Sequence, residues 1–229
     1  VEVLVEDLDV EVVMAEDLAR LFSLDPAGMP PLLPRYNIAP TQPVLAVRDD
    51  RSGGREAVFL RWGLIPPWAR DPAIGGRLIN ARSETAADKP SFRSAFRRRR
   101  CLVPADGFYE WRAVQQVKQP YHLHAADGGP FAIAGLWERW SAPDGLDVET
   151  CTLLTTAANE AVAALHDRMP VIMAPPDFDR WLDPDLTDPR SVEDLLRPAA
   201  ADFLAWYPVG SRVNRAGEEG ADLRRPLAA

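Results

Sequence analysis

The sequence predicts a single α+β domain with a mainly antiparallel, barrel-like β-sheet core and peripheral helices. Many short stretches that read as strands are separated by hairpin-like turns, a pattern typical of antiparallel sheets. The 229 residues are ample for a hydrophobic core, and neither repeats nor low-complexity linkers divide the chain. Predicted helices between the strands are expected to pack outside the sheet.

Hydrophobic periodicity places the individual elements along the chain. Residues 1–13 alternate apolar and acidic side chains, which predicts a strand. Further strands are predicted at residues 44–47, 57–62, 101–103, 121–124, 131–137, 151–155 and 203–213, and helices at 15–22, 91–100, 159–165, 177–182 and 192–196. The domain is expected to span residues 1–229, with an atypical acidic start at 1–14 and a frayed tail at 216–229.

Charge is distributed unevenly along the chain. The net charge is −8, but seven of the acidic residues and no basic residue lie within residues 1–19. Residues 61–124 instead carry twelve Arg or Lys against five acids. A locally basic surface is what a phosphate backbone requires, so the overall charge does not exclude nucleic acid. The alternative for the basic run at residues 97–100 is that it solvates the end of a helix.

The two cysteines, Cys101 and Cys151, lie far apart in apolar settings. Such spacing favours reduced thiols in a cytoplasmic protein over a disulfide framework or a metal site. We therefore expect neither a metal nor a cofactor. No apolar run reaches the roughly 18 residues that cross a bilayer, and no secretory signal opens the chain, so we expect no membrane partner.

Glu110 lies between Tyr109 and Trp111 at the end of a predicted strand. A carboxyl group flanked by aromatic surface loses solvation, which raises its pKa towards the range useful for acid–base catalysis. The turn at residues 104–107 favours a side chain that points into a cleft. The alternative is a solvent-exposed glutamate on the polar face of the strand, and this residue pattern leaves both interpretations open.

His166 stands at the junction of a predicted helix and the short segment that follows it. A neutral imidazole at such a junction can give or take a proton near neutral pH. The alternative is that His166 caps the helix while Asp167 and Arg168 form a local ion pair. His122 and His124 alternate along one strand, and we interpret them as ordinary sheet or surface residues. The alternative is a pair of metal ligands, for which no carboxylate stands at ligand spacing.

Asn80 and Arg82 stand two residues apart, so their side chains point to the same side of an extended strand. An amide there can bind a carbonyl or sugar oxygen, and a guanidinium can bind phosphate. Trp68 follows two prolines in a rigid loop and is a candidate stacking platform for an unpaired base. Core packing is the alternative for both tryptophans of this region, and we prefer it for Trp62.

Five motifs in this order resemble the SRAP family (SOS-response-associated peptidase, also called abasic-site processing proteins). They are Arg35-Tyr36-Asn37-Ile38-Ala39-Pro40-Thr41, Trp62-Gly63-Leu64-Ile65-Pro66, Asn80-Ala81-Arg82-Ser83-Glu84-Thr85, Gly107-Phe108-Tyr109-Glu110-Trp111 and His166-Asp167-Arg168-Met169-Pro170. The match extends over about residues 18–213. It implies a SRAP-like fold and a protein whose partner is single-stranded DNA with abasic sites. We expect it to act as a monomer.

The resemblance also implies roles for single residues. Asn80 would orient the abasic sugar and a terminal amine, Glu110 would move protons, and His166 would assist formation and reversal of a Schiff base. The residues implied to bind DNA are Arg82 at a phosphate, Thr155 in the pocket, Pro40 and Trp68 as wedge or stacking surface, and Asn37.

One departure from the family pattern stands at the start of the chain. The family begins Met-Cys-Gly-Arg-Phe and closes a thiazolidine ring with its cysteine, whereas residues 5–9 read Val-Glu-Asp-Leu-Asp. No cysteine nucleophile is therefore expected. Three explanations are open: a true start that differs from residue 1 of this sequence, a paralogue that binds single-stranded DNA without cross-linking, or a structural or protein-binding relative whose basic surface is incidental. A conventional cysteine or serine peptidase is disfavoured because no Ser or Cys stands in a motif that pairs it with His166.

Overall fold

The computed structural model of the chain describes residues 15–50, 52–114 and 117–227. Its strands are β1 (Pro43–Asp49), β2 (Arg55–Trp62), β3 (Asn80–Arg82), β4 (Arg100–Ala105), β5 (Phe108–Val114), β6 (Val117–Ala125), β7 (Phe131–Ser141), β8 (Asp147–Ala157), β9 (Arg168–Pro170), β10 (Ile172–Met173) and β11 (Leu204–Pro208). Its helices are α1 (residues 15–22), α2 (Ser83–Ala86), α3 (Arg93–Arg98), α4 (Glu160–Ala163) and α5 (Phe178–Leu182).

Five strands close into a barrel. The strands β7, β4, β1, β2 and β8 follow one another, and β7 also pairs with β8, which closes the ring. β10 extends β7, while β3 and β9 extend β8. A separate three-stranded sheet consists of β11, β6 and β5. The predicted α+β fold with a barrel-like core is confirmed, although the sheet is mixed because β8 runs parallel to β2 and β3.

Most predicted elements are found, with differences at their ends. The helix predicted at residues 91–100 ends at Arg98, because Arg99 leaves the helical region at φ −135° and ψ 63°. The strand predicted at residues 203–213 ends at Pro208, because residues 211–214 form a 3-10 turn instead. The strand predicted at residues 1–13 lies outside the described residues.

The apolar side chains form a core on both faces of the barrel sheet. Helices α1, α3 and α5 cover one face, where Phe22 stacks on Phe178 with 5.1 Å between ring centroids. The other face buries Cys101 and Cys151 together with Trp137. Both cysteines are free thiols, as predicted, and burial raises the pKa of Cys151 to about 12 and that of Cys101 well above its usual value.

Arg100 is buried, so the expectation that residues 97–100 all lie on a solvated or basic surface is wrong for this residue. The guanidinium donates to the main-chain carbonyls of Phe96, Arg97, Trp181, Asp183 and Leu186. Four of these carbonyls lie at the ends of α3 and α5, where the last carbonyls of a helix lack partners within it, and that of Leu186 lies in the loop after α5. Burial lowers the pKa of Arg100 to about 10. Through its hydrogen bonds, this one guanidinium connects the ends of α3 and α5 to the first residue of β4.

The C-terminal segment packs along the small sheet. A main-chain bridge joins Val209 to Pro226, and Leu223 is buried. The Glu219 carboxylate accepts a hydrogen bond from the Tyr36 amide at 2.7 Å. The frayed tail expected from residue 216 is therefore not found in residues 216–227.

In the part of the chain that the structure describes, no helix is long and apolar enough to span a membrane.

Candidate acid–base site

Glu110 occupies the middle of β5, and the strand's alternation sets the direction of its side chain. Glu110 and Phe108 lie on the same face of the strand. Phe108 packs into the apolar cluster that contains Leu165, the residue before His166. The face of the small sheet that buries Phe108 therefore also directs Glu110 towards the turn that carries His166.

Gly107 makes the entry into β5 possible. A Cβ at this position would lie 2.3 Å from Nε2 of His122 and 2.8 Å from the carbonyl oxygen of Leu123. His122 is itself held in the sheet, with Nδ1 3.1 Å from the hydroxyl of Tyr207. Only glycine at position 107 allows β5 to approach β6 this closely. The start of β5, and with it the position of the Glu110 backbone, is therefore set by this contact.

His166 follows α4 in a tight turn. Its amide donates to the carbonyl of Val162 at 3.0 Å, and its Nδ1 accepts the amide hydrogen of Arg168 at 3.0 Å. The Asp167 carboxylate lies 3.3 Å from the same nitrogen. The imidazole is thus oriented by its own turn, while its side chain stays 43% exposed and open to a ligand.

Glu110 and His166 line one open cavity of about 370 Å³, together with Trp111, Lys118 and Asn214. Burial raises the pKa of the Glu110 carboxyl, and the nearby His166 acts in the opposite direction. A half-buried carboxyl next to an imidazole can exchange protons with a bound ligand. The predicted perturbation of Glu110 is found, with the burial that was expected to cause it.

Asn80, Arg82 and Thr155 lie on neighbouring strands at the edge of the main sheet. Arg82 pairs in register with Thr155, which in turn pairs with Pro170 of β9. Asn80 and Arg82 are exposed on one side of β3 while Ala81 is buried on the other, as their spacing predicted. Among the described residues, neither Asn80 nor Arg82 lines the cavity that Glu110 and His166 share.

A salt bridge that the sequence did not reveal connects this sheet edge to the histidine turn. Arg168 forms two hydrogen bonds with the Glu84 carboxylate, at 2.6 and 2.8 Å, and donates to the carbonyl of Thr155 at 2.6 Å. Glu84 follows Arg82 by two residues, and Arg168 follows His166 by two. The bridge therefore holds α2 beside β9, and Arg168 pairs with Glu84 rather than with the adjacent Asp167.

The remaining predicted DNA-binding residues differ in exposure. Trp68 is 57% exposed, and Pro40 is exposed beside Thr41, whose φ of 74° marks a tight turn. Asn37 is instead buried, and its amide nitrogen donates to the carbonyls of Val213 and Arg215. These bonds give Asn37 a structural role in the C-terminal segment.

Trp62 packs with the core, as its preferred interpretation predicted. Its indole donates to the carbonyl of Ile79 at 2.9 Å and contacts the apolar cluster of β1, β2 and β7.

Within the described residues, no group of three His, Cys, Asp or Glu side chains is arranged to hold a metal ion.

Replacing Glu84 by glutamine is expected to lower the unfolding free energy by no more than about 1 kcal/mol, since the pair is partly exposed. Hydrogen bonds from Arg168 lower the pKa of Glu84. The pair therefore stabilises the fold above the carboxyl's unfolded pKa, and this contribution is lost as pH falls through the lowered folded value. Urea unfolding of both chains from pH 7 to pH 3 should show the difference shrinking. Glu160→Gln, in the first turn of α4, is the matched control, and an equal pH-dependent loss there would contradict the prediction.

The fold and the site together define a class of protein. It is a closed-barrel domain that holds a half-buried carboxyl group beside an imidazole, with exposed arginine and tryptophan side chains on other elements. The chain belongs to the SRAP family, described as SOS response associated peptidase, which it matches over residues 10–216. The predicted family resemblance is confirmed.

Named relatives and solved structures are similar over most of the chain. The abasic site processing protein YoqW of Bacillus subtilis (strain 168) is 42% identical over 212 residues, or 91% of this chain and 93% of YoqW. The abasic site processing protein YedK of Escherichia coli (strain K12) is 31% identical over 220 residues, or 93% and 92%. A crystal structure of a Bordetella bronchiseptica protein has a TM-score of 0.73 at 31% identity, covering 86% of this chain and 95% of that one.

Proposed function

We propose that this protein recognises abasic sites in single-stranded DNA and processes them by acid–base chemistry at Glu110 and His166. The observation that carries the proposal is the cavity shared by these two side chains, in a chain whose relatives are named abasic site processing proteins. The ring-opened sugar of an abasic site presents an aldehyde, which is the kind of group on which a carboxyl and an imidazole can act.

The proposed chemistry follows from the protonation of the two groups. Burial raises the pKa of Glu110, so a larger fraction of this carboxyl than of an exposed one is protonated near neutral pH. A protonated carboxyl donates to the carbonyl oxygen of the aldehyde while the imidazole of His166 accepts a proton from an attacking primary amine, which gives a carbinolamine. The imidazolium then returns its proton to the carbinolamine hydroxyl, which leaves as water, and the Glu110 carboxylate takes the remaining proton from the iminium nitrogen to give the Schiff base. The reverse transfers assist hydrolysis of the resulting Schiff base, so the same pair serves formation and release.

The proposed DNA contacts use the exposed residues of the sheet edge and loops. Arg82 would bind a phosphate beside Thr155, and Asn80 on the same face of β3 would bind a sugar oxygen. The exposed indole of Trp68 would stack on an unpaired base, with Pro40 as a second apolar contact. These contacts suit a splayed single strand because they need bases that are not paired.

Binding and denaturing gels test the proposal with three oligonucleotides of one sequence: an abasic single strand, an intact single strand and an abasic duplex. Fluorescence anisotropy should give the tightest binding for the abasic single strand. Borohydride should trap a band that survives boiling only with that strand. Equal affinity for all three would contradict abasic-site recognition, and native binding without a trapped band would favour a noncovalent single-strand binder.

Arg82→Ala is expected to weaken binding of both single strands and to reduce the slope of log affinity against log salt by about 0.7, the value for one phosphate contact to a single strand. Anisotropy titrations at several salt concentrations measure this slope. The control is Arg20→Ala, which removes the same charge from α1 and should leave the slope unchanged. An unaltered slope in Arg82→Ala would contradict the phosphate contact.

We also propose that the protein acts in the cytoplasm and as a monomer. Free, buried cysteines support a reducing compartment. Light scattering of the purified chain checks the monomer, since a mass above 25.3 kDa would contradict it.

A further inference from the structure

The C-terminal segment supplies one wall of the cavity. The 3-10 turn Ser211–Asn214 follows β11 and brings Asn214 to the rim, where it lines the cavity with Glu110, Trp111 and His166. The Asn214 side-chain oxygen accepts a hydrogen bond from the Trp111 indole nitrogen at 2.7 Å. Trp111 directly follows Glu110 in β5, so this bond fixes the side chain next to the proposed acid.

A buried amide holds the turn that presents Asn214. The Asn37 amide nitrogen donates to the carbonyls of Val213 at 3.2 Å and Arg215 at 3.1 Å, the residues on either side of Asn214. Val213 and Asn37 are both buried. The main chain on both sides of Asn214 is therefore fixed from within the protein, although the Asn214 side chain itself lies at the surface.

These contacts form a continuous path from the loop of Asn37 to the indole beside Glu110. The buried amide sets the backbone of Asn214, and the Asn214 oxygen sets the ring of Trp111, which is 36% exposed. A tryptophan held in one orientation loses less conformational freedom when it packs against a ligand than a freely rotating one. Ordering of the ring before binding therefore favours stacking.

We infer that Asn214 is a positioning residue of this site, which fixes Trp111 as a rigid wall against which an unpaired base stacks. The inference rests on the proposed function, because it assigns the wall to a nucleotide that flanks the abasic sugar. It also assigns Asn37 an indirect role in DNA binding, through the turn that it holds.

A spectroscopic measurement tests the positioning without DNA. The chain has seven tryptophans, and the indole N–H signal of Trp111 in a ¹⁵N-correlated NMR spectrum is identified by its loss in Trp111→Phe. Asn214→Ala should shift this one signal and speed its exchange with water. Asn214→Asp keeps an acceptor oxygen and should restore the signal, whereas Ser211→Ala on the same turn should leave it unchanged. A Trp111 signal that does not move in Asn214→Ala would overturn the inference.

A double-mutant cycle tests the consequence for binding, with an abasic single strand that carries a stable tetrahydrofuran site as the probe. Loss of one positioned hydrogen bond should weaken binding by about five-fold in Asn214→Ala. If Asn214 acts through Trp111, the double variant Asn214→Ala, Trp111→Phe should bind no more weakly than Trp111→Phe alone. Losses that multiply would overturn the inference, because they would show that the two residues act independently.

The two proposals fail in different ways. If the unaltered chain binds the abasic strand and Asn214→Ala binds it equally well, the positioning role is overturned and the proposed function stands. If the unaltered chain does not prefer the abasic strand over the intact one, the proposed function and the stacking wall are both overturned, whatever the NMR signal shows.

Discussion

Glu110→Gln is expected to slow formation of the borohydride-trapped adduct with an abasic single strand by about 10² to 10⁴-fold, the usual contribution of a positioned acid or base. Glutamine keeps the size and the hydrogen-bonding edge of the side chain but cannot transfer a proton. His166→Ala should slow formation of the adduct by a factor near the lower end of that range, because Glu110 can still transfer a proton when the imidazole is absent. Single-turnover rates at fixed DNA concentration measure both effects.

The pH dependence of stability provides the control for folding. Because burial raises its pKa, the Glu110 carboxyl binds a proton more tightly in the folded chain than in the unfolded chain. Its contribution to stability therefore falls as pH rises from the ordinary value of 4.5 through the raised folded value. Glu110→Gln removes this fall, so the variant should be at least as stable as the unaltered chain at pH 7.

A matched substitution separates chemistry from a general charge effect. Glu193→Gln removes an exposed carboxyl on a 3-10 turn and should change neither the rate nor the thermal midpoint. If Glu110→Gln and His166→Ala lose stability in proportion to their loss of rate, the two residues serve the fold and not proton transfer.

Arg100→Met is expected to lower the free energy of unfolding by about 3 to 5 kcal/mol, because several buried carbonyls lose their donor and each costs roughly 1 to 3 kcal/mol when left unpaired. Methionine keeps much of the apolar stem, so the loss reports the guanidinium and not a cavity. Urea unfolding followed by tryptophan fluorescence measures it, since Trp181 lies next to the guanidinium.

Arg98→Met is the natural comparison. Arg98 lies two residues away on α3 and is exposed, so its replacement should change stability by less than about 0.5 kcal/mol. Similar losses in the two variants would contradict the role assigned to Arg100, because they would point to the charge of the basic run and not to the buried hydrogen bonds.

The local features of the fold could be predicted from the sequence, and the long-range ones could not. The strands β1 and β2 are predicted because each contains a short apolar run, and their antiparallel pairing from Pro43 to Asp49 is regular. The closure of β7 onto β8 and the parallel pairing of β3 with β8 leave no such signal. Burial of Arg100 depends on carbonyls up to 86 residues away, so composition alone placed it at the surface.

The site divides in the same way. The aromatic neighbours of Glu110 and the junction position of His166 are visible in the sequence, and the structure brings the two side chains to one cavity. Glu84 and Arg168 are 84 residues apart, and neither has a periodicity that would pair them. The one sequence signal for Glu84 is its position two residues after the proposed phosphate-binding Arg82, in the same motif.

The burial of both cysteines has a practical consequence for experiments on this protein. Thiol-specific reagents attack the thiolate form, and both native side chains are enclosed with strongly raised pKa values. A cysteine introduced at an exposed position that has no proposed DNA contact, such as Leu33→Cys, would therefore be the single site that a maleimide dye labels under native conditions. Such a probe could follow DNA binding without any prior removal of native cysteines.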